Sequence, residues 1–586
     1  MRFLGNVLAV IVGLLIFSVL SFFILAGIIA IASSSDDEVK VKENTVLHLN
    51  LDGRTLVERT SENDFDLSSL SAFGGIPSVG LVNLKKAILT AKENENIKGI
   101  YLQAGMVIAG QAILQELRAE LEDFKSSGKF IISYGEIYSE GGYFLSSVAD
   151  EVYMNPMGGM DFNGFASEMV FLKGMFEKIE VEPVVFRVGE FKSAVEPFIL
   201  DKMSDESRLQ TESFLNDLNN IAMTQIGVSR NIPFEKVNEI NDQMLIRKPQ
   251  DAVDLKMVDG LWYEDQVIDL LKERLGLGED DSINTINVKG INKTSKSKNR
   301  LSKNRIAVII AEGEIVSGKA DGMISSEKFA QEIKKARKNK DIKAIVLRVN
   351  SPGGSVLASE VIWREMAEAK KVKPVIASMG EVAASGGYYI AAPADTIVAQ
   401  PNTITGSIGI FGLWFNAQGL LNNKLGITTD VAKTGELSNF MSATRKLSDL
   451  EKSIVQKNVE EGYDTFITRV SDGRNMSKDS VLKIASGRVW SGLQAKENGL
   501  VDILGGLEDA IAIAASKAGI SEDFRVVYYP EEKPWFEQFL KELTDEVQAT
   551  YTRTQLGTLF PIYQQIEKVK KYEGIMVRMP YDITIQ

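Results

Sequence analysis

The stretch GEVAASGGYYIAAPAD, residues 380–395, sets Ser385 between two alanines and two glycines. Small neighbours leave a hydroxyl accessible, which suits a nucleophile, but a serine attacks only when a base takes its proton. The usual base is histidine, and the chain has one, His48, far upstream in NTVLHLNLDG, where it reads as a strand residue rather than a catalyst. Before Ser385 lies RVNSPGGSV, residues 348–356, at the end of a β-branched run. Paired glycines let backbone N–H groups face a ligand with no Cβ in the way. Such donors stabilise the oxyanion of a tetrahedral acyl intermediate. Ser385 itself falls at a strand-to-helix turn, where a helix start adds free N–H donors and positive partial charge. Each feature alone is ordinary, because glycine pairs make turns and serines make N-caps.

Composition narrows the chemistry. No cysteine is present, which excludes a thiol nucleophile, a zinc–thiolate site and disulfides. One histidine argues against a histidine-rich metal site, and neither metal nor cofactor is expected. The net charge of −13 argues against a nucleic-acid partner. With 586 residues, 44% of them apolar and 25% charged, the chain has the composition and length of a multidomain globular protein. Residues 3–32 form an uncharged apolar stretch, whereas about 20 residues span a bilayer core. Arg2 precedes it and SSSDDE follows, so the positive-inside rule predicts a cytoplasmic start and an outer remainder. Ala30-Ile31-Ala32 resembles a cleavage site, but the run exceeds the roughly 7–15 residues of a signal-peptide core, so an uncleaved anchor in the lipid bilayer is expected.

The elements that must position Ser385 are written twice. NENIKGIYLQ (94–103) matches NKDIKAIVLR (339–348), and YGEIYSEGGYFLSSVADEVYMNP (134–156) matches MGEVAASGGYYIAAPADTIVAQP (379–401), both at an offset of 245 residues. MSDESRLQTESF (203–214) and LSDLEKSIVQKN (447–458) continue the correspondence, as do AVDLKMVDGL (252–261) and AKENGLVDIL (495–504). A long internal repeat implies two homologous units. In the second, strands are predicted at 305–315, 343–349, 374–379 and 395–400, with helices at 326–339 and from Gly386 to near Pro393. Repeated β–α–β order predicts α/β domains with largely parallel strands. NVKGINKTSKSKNRLSKN (287–304) is polar and basic and reads as a linker.

NSPGGS and ASGGYY inside repeated α/β units resemble the Clp/crotonase superfamily. With the anchor, the duplication and TGSIGI (405–410), the chain resembles the long form of the signal peptide peptidase A (protease IV) family from the anchor through GIMVRMPYDI. Two tandem Clp/crotonase-like domains preceded by one transmembrane helix are therefore expected. The expected boundaries are an anchor at 1–35, repeats at 44–286 and 305–520, the linker at 287–304 and a C-terminal extension at 521–586.

Comparing the copies divides the labour. Glu140 stands in the place of Ser385, and AGMVIAG (104–110) replaces VNSPGGS, so the first copy lacks nucleophile and glycine pair. It carries VGEFKSAVEPF (188–198), where the second reads TGELSNFMSAT (434–444), with Ser438 about where Lys192 stands. Lys192 is the candidate general base, and the resemblance implies the same Ser–Lys pair. Desolvation lowers a lysine pKa from about 10.4 and frees the amine to accept a proton. Ser407, in TGSIG, is a candidate to orient that amine. Gly354 and Gly386 are the candidate oxyanion donors, with Gly353 an equal neighbour. Asp150 and Asp395 occupy one position in both copies and are expected to cap or pack.

The resemblance further implies hydrolysis of apolar peptides, particularly signal-peptide remnants, through an acyl-enzyme. It also implies a homotetramer facing an enclosed space, and a place in the bacterial inner membrane with the domains on the periplasmic or outer side. A crotonase-like enzyme acting on acyl-CoA and an inactive membrane scaffold are the alternatives. The amphipathic stretch 534–551 is expected to pack on the assembly.

Overall fold

The structure, a computed structural model, describes residues 12–20, 40–60, 77–294, 302–320, 322–531 and 574–579. Of the predicted anchor, residues 12–20 are helical; the rest of 3–32 lies outside the described residues, as does 534–551. Among the described residues no helix is long and apolar enough to cross a membrane.

The first copy comprises β1 (Thr45–Asn50), β2 (Ile97–Gln103), α1 (Gln111–Lys125), β3 (Phe130–Tyr138), α2 (Glu140–Ser146), β4 (Glu151–Met160), β5 (Glu182–Val188), α3 (Asp205–Arg230), β6 (Gly260–Leu261) and β7 (Asn284–Ile286). Its sheet runs β7-β1-β2-β3-β4-β6, all parallel. The second copy comprises β8 (Arg305–Glu312), β9 (Ile342–Ser351), β10 (Gly353–Ser355), α4 (Val356–Lys370), β11 (Val375–Ala384), α5 (Gly386–Ala391), β12 (Thr396–Ala399), β13 (Ile404–Gly406), β14 (Ile410–Asn416), β15 (Val489–Ser491), β16 (Ile503–Leu504) and β17 (Arg525–Tyr529). The path β17-β8-β9-β11-β12-β16 repeats the first strand for strand. After β11 the second copy also forks to β13 and then antiparallel β15.

The β-branched runs explain the architecture. Along β8, Ile306, Val308 and Ile310 pack against Leu507, Ala510 and Ile511, while Ala307, Ile309 and Ala311 face the opposite core. Both faces are covered, as parallel sheets require. Each fully buried Ile or Val contributes about 1.5–3 kcal/mol.

Two boundaries differ from expectation. Val288–Thr294, within the predicted linker, is a helix with Ile291 buried in the first core, because Val288 and Ile291 supply an apolar edge to an otherwise polar run. The extension assigned from 521 supplies β17 to the second sheet and β18 (Gly574–Arg578) to a third.

That third sheet crosses the copies. Its order includes β10-β18-β14-β5, and β5 of the first copy pairs antiparallel with β14 of the second along its full length, from Val188 opposite Ile410 to Glu182 opposite Asn416. Buried charge also joins the halves. Arg348 on β9 is fully buried and pairs with Glu58 (2.9 Å) and Glu116 of α1 (2.6 Å). Glu381 on β11 accepts from Ala112 N at the start of α1 (2.7 Å), and burial pushes its carboxyl up to about 7.

Candidate active site

Ser385 is the single residue between β11 and α5, with φ 56° and ψ −113°. A non-glycine residue there is strained by about 1–3 kcal/mol and persists only where its surroundings fix it. Its N–H donates to Gly406 O and its carbonyl accepts from Tyr389 N, both at 2.8 Å. Such a sharp turn lifts the side chain clear of the sheet. The flanking glycines are required sterically. A Cβ on Gly386 would lie 2.7 Å from Ser359 Oγ on α4 and 3.1 Å from the Gly353 Cα; one on Gly387 would lie 2.6 Å from Ser351 O. Gly386→Ala is therefore expected to cost about 1–3 kcal/mol by overpacking and to depress kcat, measured by urea unfolding and steady-state assay.

Lys192 arrives from the other copy. β5 carries the chain across to β14, and Gly189 (φ 99°) then turns it where a Cβ would meet Ser486 O at 2.4 Å. Phe191 N donates to Ser486 O (3.0 Å), and Gly487 packs so closely that a Cβ would lie 2.7 Å from the Lys192 backbone N. Lys192 is wholly buried, its Nζ 2.8 Å from Ser385 Oγ, 3.0 Å from Ser407 Oγ and 3.2 Å from Ser407 O. Burial, with no charged neighbour among the described residues to offset it, holds this amine well below the ordinary lysine value.

Lys192 Nζ thus has three oxygen neighbours: the Ser407 carbonyl, which can only accept, and two hydroxyls, each able to accept from an ammonium or to donate to a neutral amine. Ser407 follows β13 with φ 49°, and its N–H donates to Arg488 O (2.7 Å).

The glycine pair lies against the nucleophile turn, since a Cβ on Gly353 would come 2.7 Å from Gly386 N. Gly353 N donates to Ser351 Oγ (3.2 Å) and is thereby occupied. Gly354 follows on β10, and the Gly386 amide opens α5 ahead of its first intrahelical bond.

Other candidates lie elsewhere. His48 Nε2 meets Gln103 Oε1 (2.8 Å) and the ring stacks on Tyr101 within the first sheet. Ser438 is exposed in a turn, accepting from Gly435 N. Asp150 accepts from Ile131 N (2.8 Å) and Asp395 from Val375 N (2.9 Å), the same strand-fastening contact in each copy. At Glu140 the sharp turn is gone. Helix α2 starts there, capped by Ser139, and the carboxylate accepts from Asn163 N, Gly164 N and Asn241 Nδ2. Gln210 was not anticipated, although its place beside Ser207, Thr211, Phe214 and Leu218 on one helical stripe, a polar residue on a buried face, was a readable signal.

The Peptidase family S49 profile matches residues 123–278 and 367–521, one stretch in each copy, and the Clp protease profile matches 292–405. Protease 4 of Salmonella typhi is 37% identical over 80% of this chain and 77% of its own length. Protease 4 of Haemophilus influenzae is 35% identical over 88% of this chain and 85% of its own. The chloroplastic serine protease SPPA of Arabidopsis thaliana is 32% identical over 84% of this chain and 72% of its own.

Proposed function

The chain belongs to peptidase family S49 and is a serine protease, and on that premise we propose that it cleaves apolar peptides, including spent signal peptides, with Ser385 as nucleophile and Lys192 as general base. The observation that carries this reading is the 2.8 Å approach of the two fully buried side chains.

In the proposed cycle Lys192 takes the Ser385 proton as Oγ attacks the scissile carbonyl. The Gly354 and Gly386 amides hold the oxyanion, and Ser407 keeps the amine lone pair aimed at Oγ. The ammonium so formed returns its proton to the leaving amine, an acyl-enzyme remains, and water activated by the same amine releases it. A relative carries the name signal peptide peptidase SppA, which supports signal peptides as substrates. The apolar run 3–32 supports a single-pass anchor in a bacterial inner membrane with the repeats on the outer side. A homotetramer is the assembly proposed, for which exposed Leu425, Ile427, Val431 and Phe440 supply an apolar contact surface.

The test is the pH dependence of kcat/KM on an apolar fluorogenic peptide. The protonated amine cannot accept, so activity is expected to rise with pH along an acid limb well below lysine's ordinary value of about 10.4 and then level off. A profile with no acid limb, or one that rises only near pH 10, rules out Lys192 as the buried base.

A further inference from the structure

Gln210, on α3 of the first copy, is wholly buried. Its Nε2 donates to Phe191 O (3.1 Å) and to Ser193 Oγ (2.9 Å), and its Oε1 accepts from Val489 N (3.1 Å). The amide orientation is unambiguous, because the Phe191 carbonyl can only accept and the Val489 N–H can only donate. Phe191 and Ser193 flank Lys192. Val489 begins β15, which pairs with β13 through Gly406 opposite Val489. The preceding Arg488 carbonyl receives the Ser407 N–H (2.7 Å), and β13 pairs with β11 up to Ala384 opposite Gly406, one residue short of Ser385. One side-chain amide thus ties both neighbours of the base to the strand that carries the orienting serine and adjoins the nucleophile.

We propose that Gln210 is a positioning residue, holding the Lys192 amine in register with Ser385 and Ser407 across the junction of the two copies. The inference rests on the Ser385–Lys192 reading and adds to it the element that keeps the base in place. Helix α3 is anchored in the first copy's core through Ala222, Met223 and Ile226, so Gln210 is a rigid mount. The charged groups about this loop include Glu190, exposed beside Phe191, Arg488, whose guanidinium lies over the Phe191 ring (5.1 Å) and the Trp490 ring (4.1 Å), and Glu196, engaged by Ser204 N and Oγ. Gln210 is thus the neutral polar clamp on this segment.

Gln210→Met keeps the volume and removes all three hydrogen bonds. It is expected to lower kcat about 10- to 100-fold, the cost of a small misplacement of a reacting group, with KM unchanged. The acid limb of kcat/KM should move to higher pH as water reaches the amine. Gln210→Glu can still accept from Val489 N and the Ser193 hydroxyl but cannot donate to Phe191 O. Its negative charge favours the ammonium, so its acid limb should move further upward. Both variants showing wild-type kcat and an unmoved acid limb, whatever their melting temperatures, overturn the proposal; if the Met variant does not fold, the Glu variant decides alone on the same two readouts. Full activity in Lys192→Met would instead overturn the underlying base assignment, whereas an inactive Lys192→Met beside wild-type-like Gln210 variants overturns this inference only.

Discussion

Ser385→Ala is expected to lower kcat by about 10⁶-fold, the loss seen when a serine nucleophile is deleted from a preorganised site, while KM for an apolar peptide stays near the wild-type value. The reason is local. Alanine retains the small side chain that the turn between β11 and α5 tolerates, and the backbone bonds from Ser385 N to Gly406 O and from Tyr389 N to Ser385 O involve no side-chain atom. The substitution removes only the Ser385 hydroxyl and its contact with Lys192 Nζ. Circular dichroism should be unchanged, and labelling by a fluorophosphonate probe should disappear. Hydrolysis persisting at a comparable rate in a folded Ser385→Ala protein would show that another group attacks the substrate.

Lys192→Met separates the base from the nucleophile. Methionine fills the same buried channel beside Gly409 and Gly487 but cannot accept a proton, so kcat is expected to fall by about 10⁴- to 10⁶-fold, and probe labelling of Ser385 should fall with it. Stability should move the other way. Burial holds the Lys192 amine well below its ordinary pKa, so between that lowered value and about 10.4 the unfolded chain binds one more proton than the folded chain. Wild-type stability therefore gains a component that rises with pH across this window. The methionine variant has no such proton to lose. Its urea midpoint is expected to exceed the wild type's at neutral pH, with the difference shrinking as pH rises through the window. A variant that is inactive but equally pH-dependent in stability would mean that the amine is charged in the folded protein.

The glycine substitution and the Gln210 variants probe the same junction from two other sides. Gly386 gives the nucleophile turn its space, and Gln210 ties the base segment to the sheet that ends at Ser385. Loss of activity in one should leave the acid limb where it is; loss in the other should move it.

Much of this was legible because the chain repeats itself. Comparing two copies distinguishes a residue kept for packing from one present in a single copy. Asp150 and Asp395, shared, fasten strands, whereas Ser385 and Lys192, unshared, meet at the site. The strands with apolar residues on both faces were legible for a similar reason, since burial on two sides leaves an unbroken β-branched run. The strand Gly574–Arg578 was not, because its partners on β10 and β14 lie far away in the chain and its own sequence carries no sign of them. Nor does the sequence distinguish Gly353 from Gly354, whereas in the structure Gly353 N donates to Ser351 Oγ and Gly354 pairs with Ile315 and Val577 in the third sheet.

Residue types and their recurrence settled the duplication, the α/β class and the division of a hydroxyl and an amine between two halves, because each leaves a local trace in composition or spacing. The depth at which the amine is buried, its three contacts and the amide that clamps its loop were decided by β5 crossing onto β14 and by α3 lying beside β15. Those outcomes depend on distances between segments nearly 200 residues or more apart, and a pKa or a lone pair answers to what surrounds it in space rather than to its neighbours along the chain.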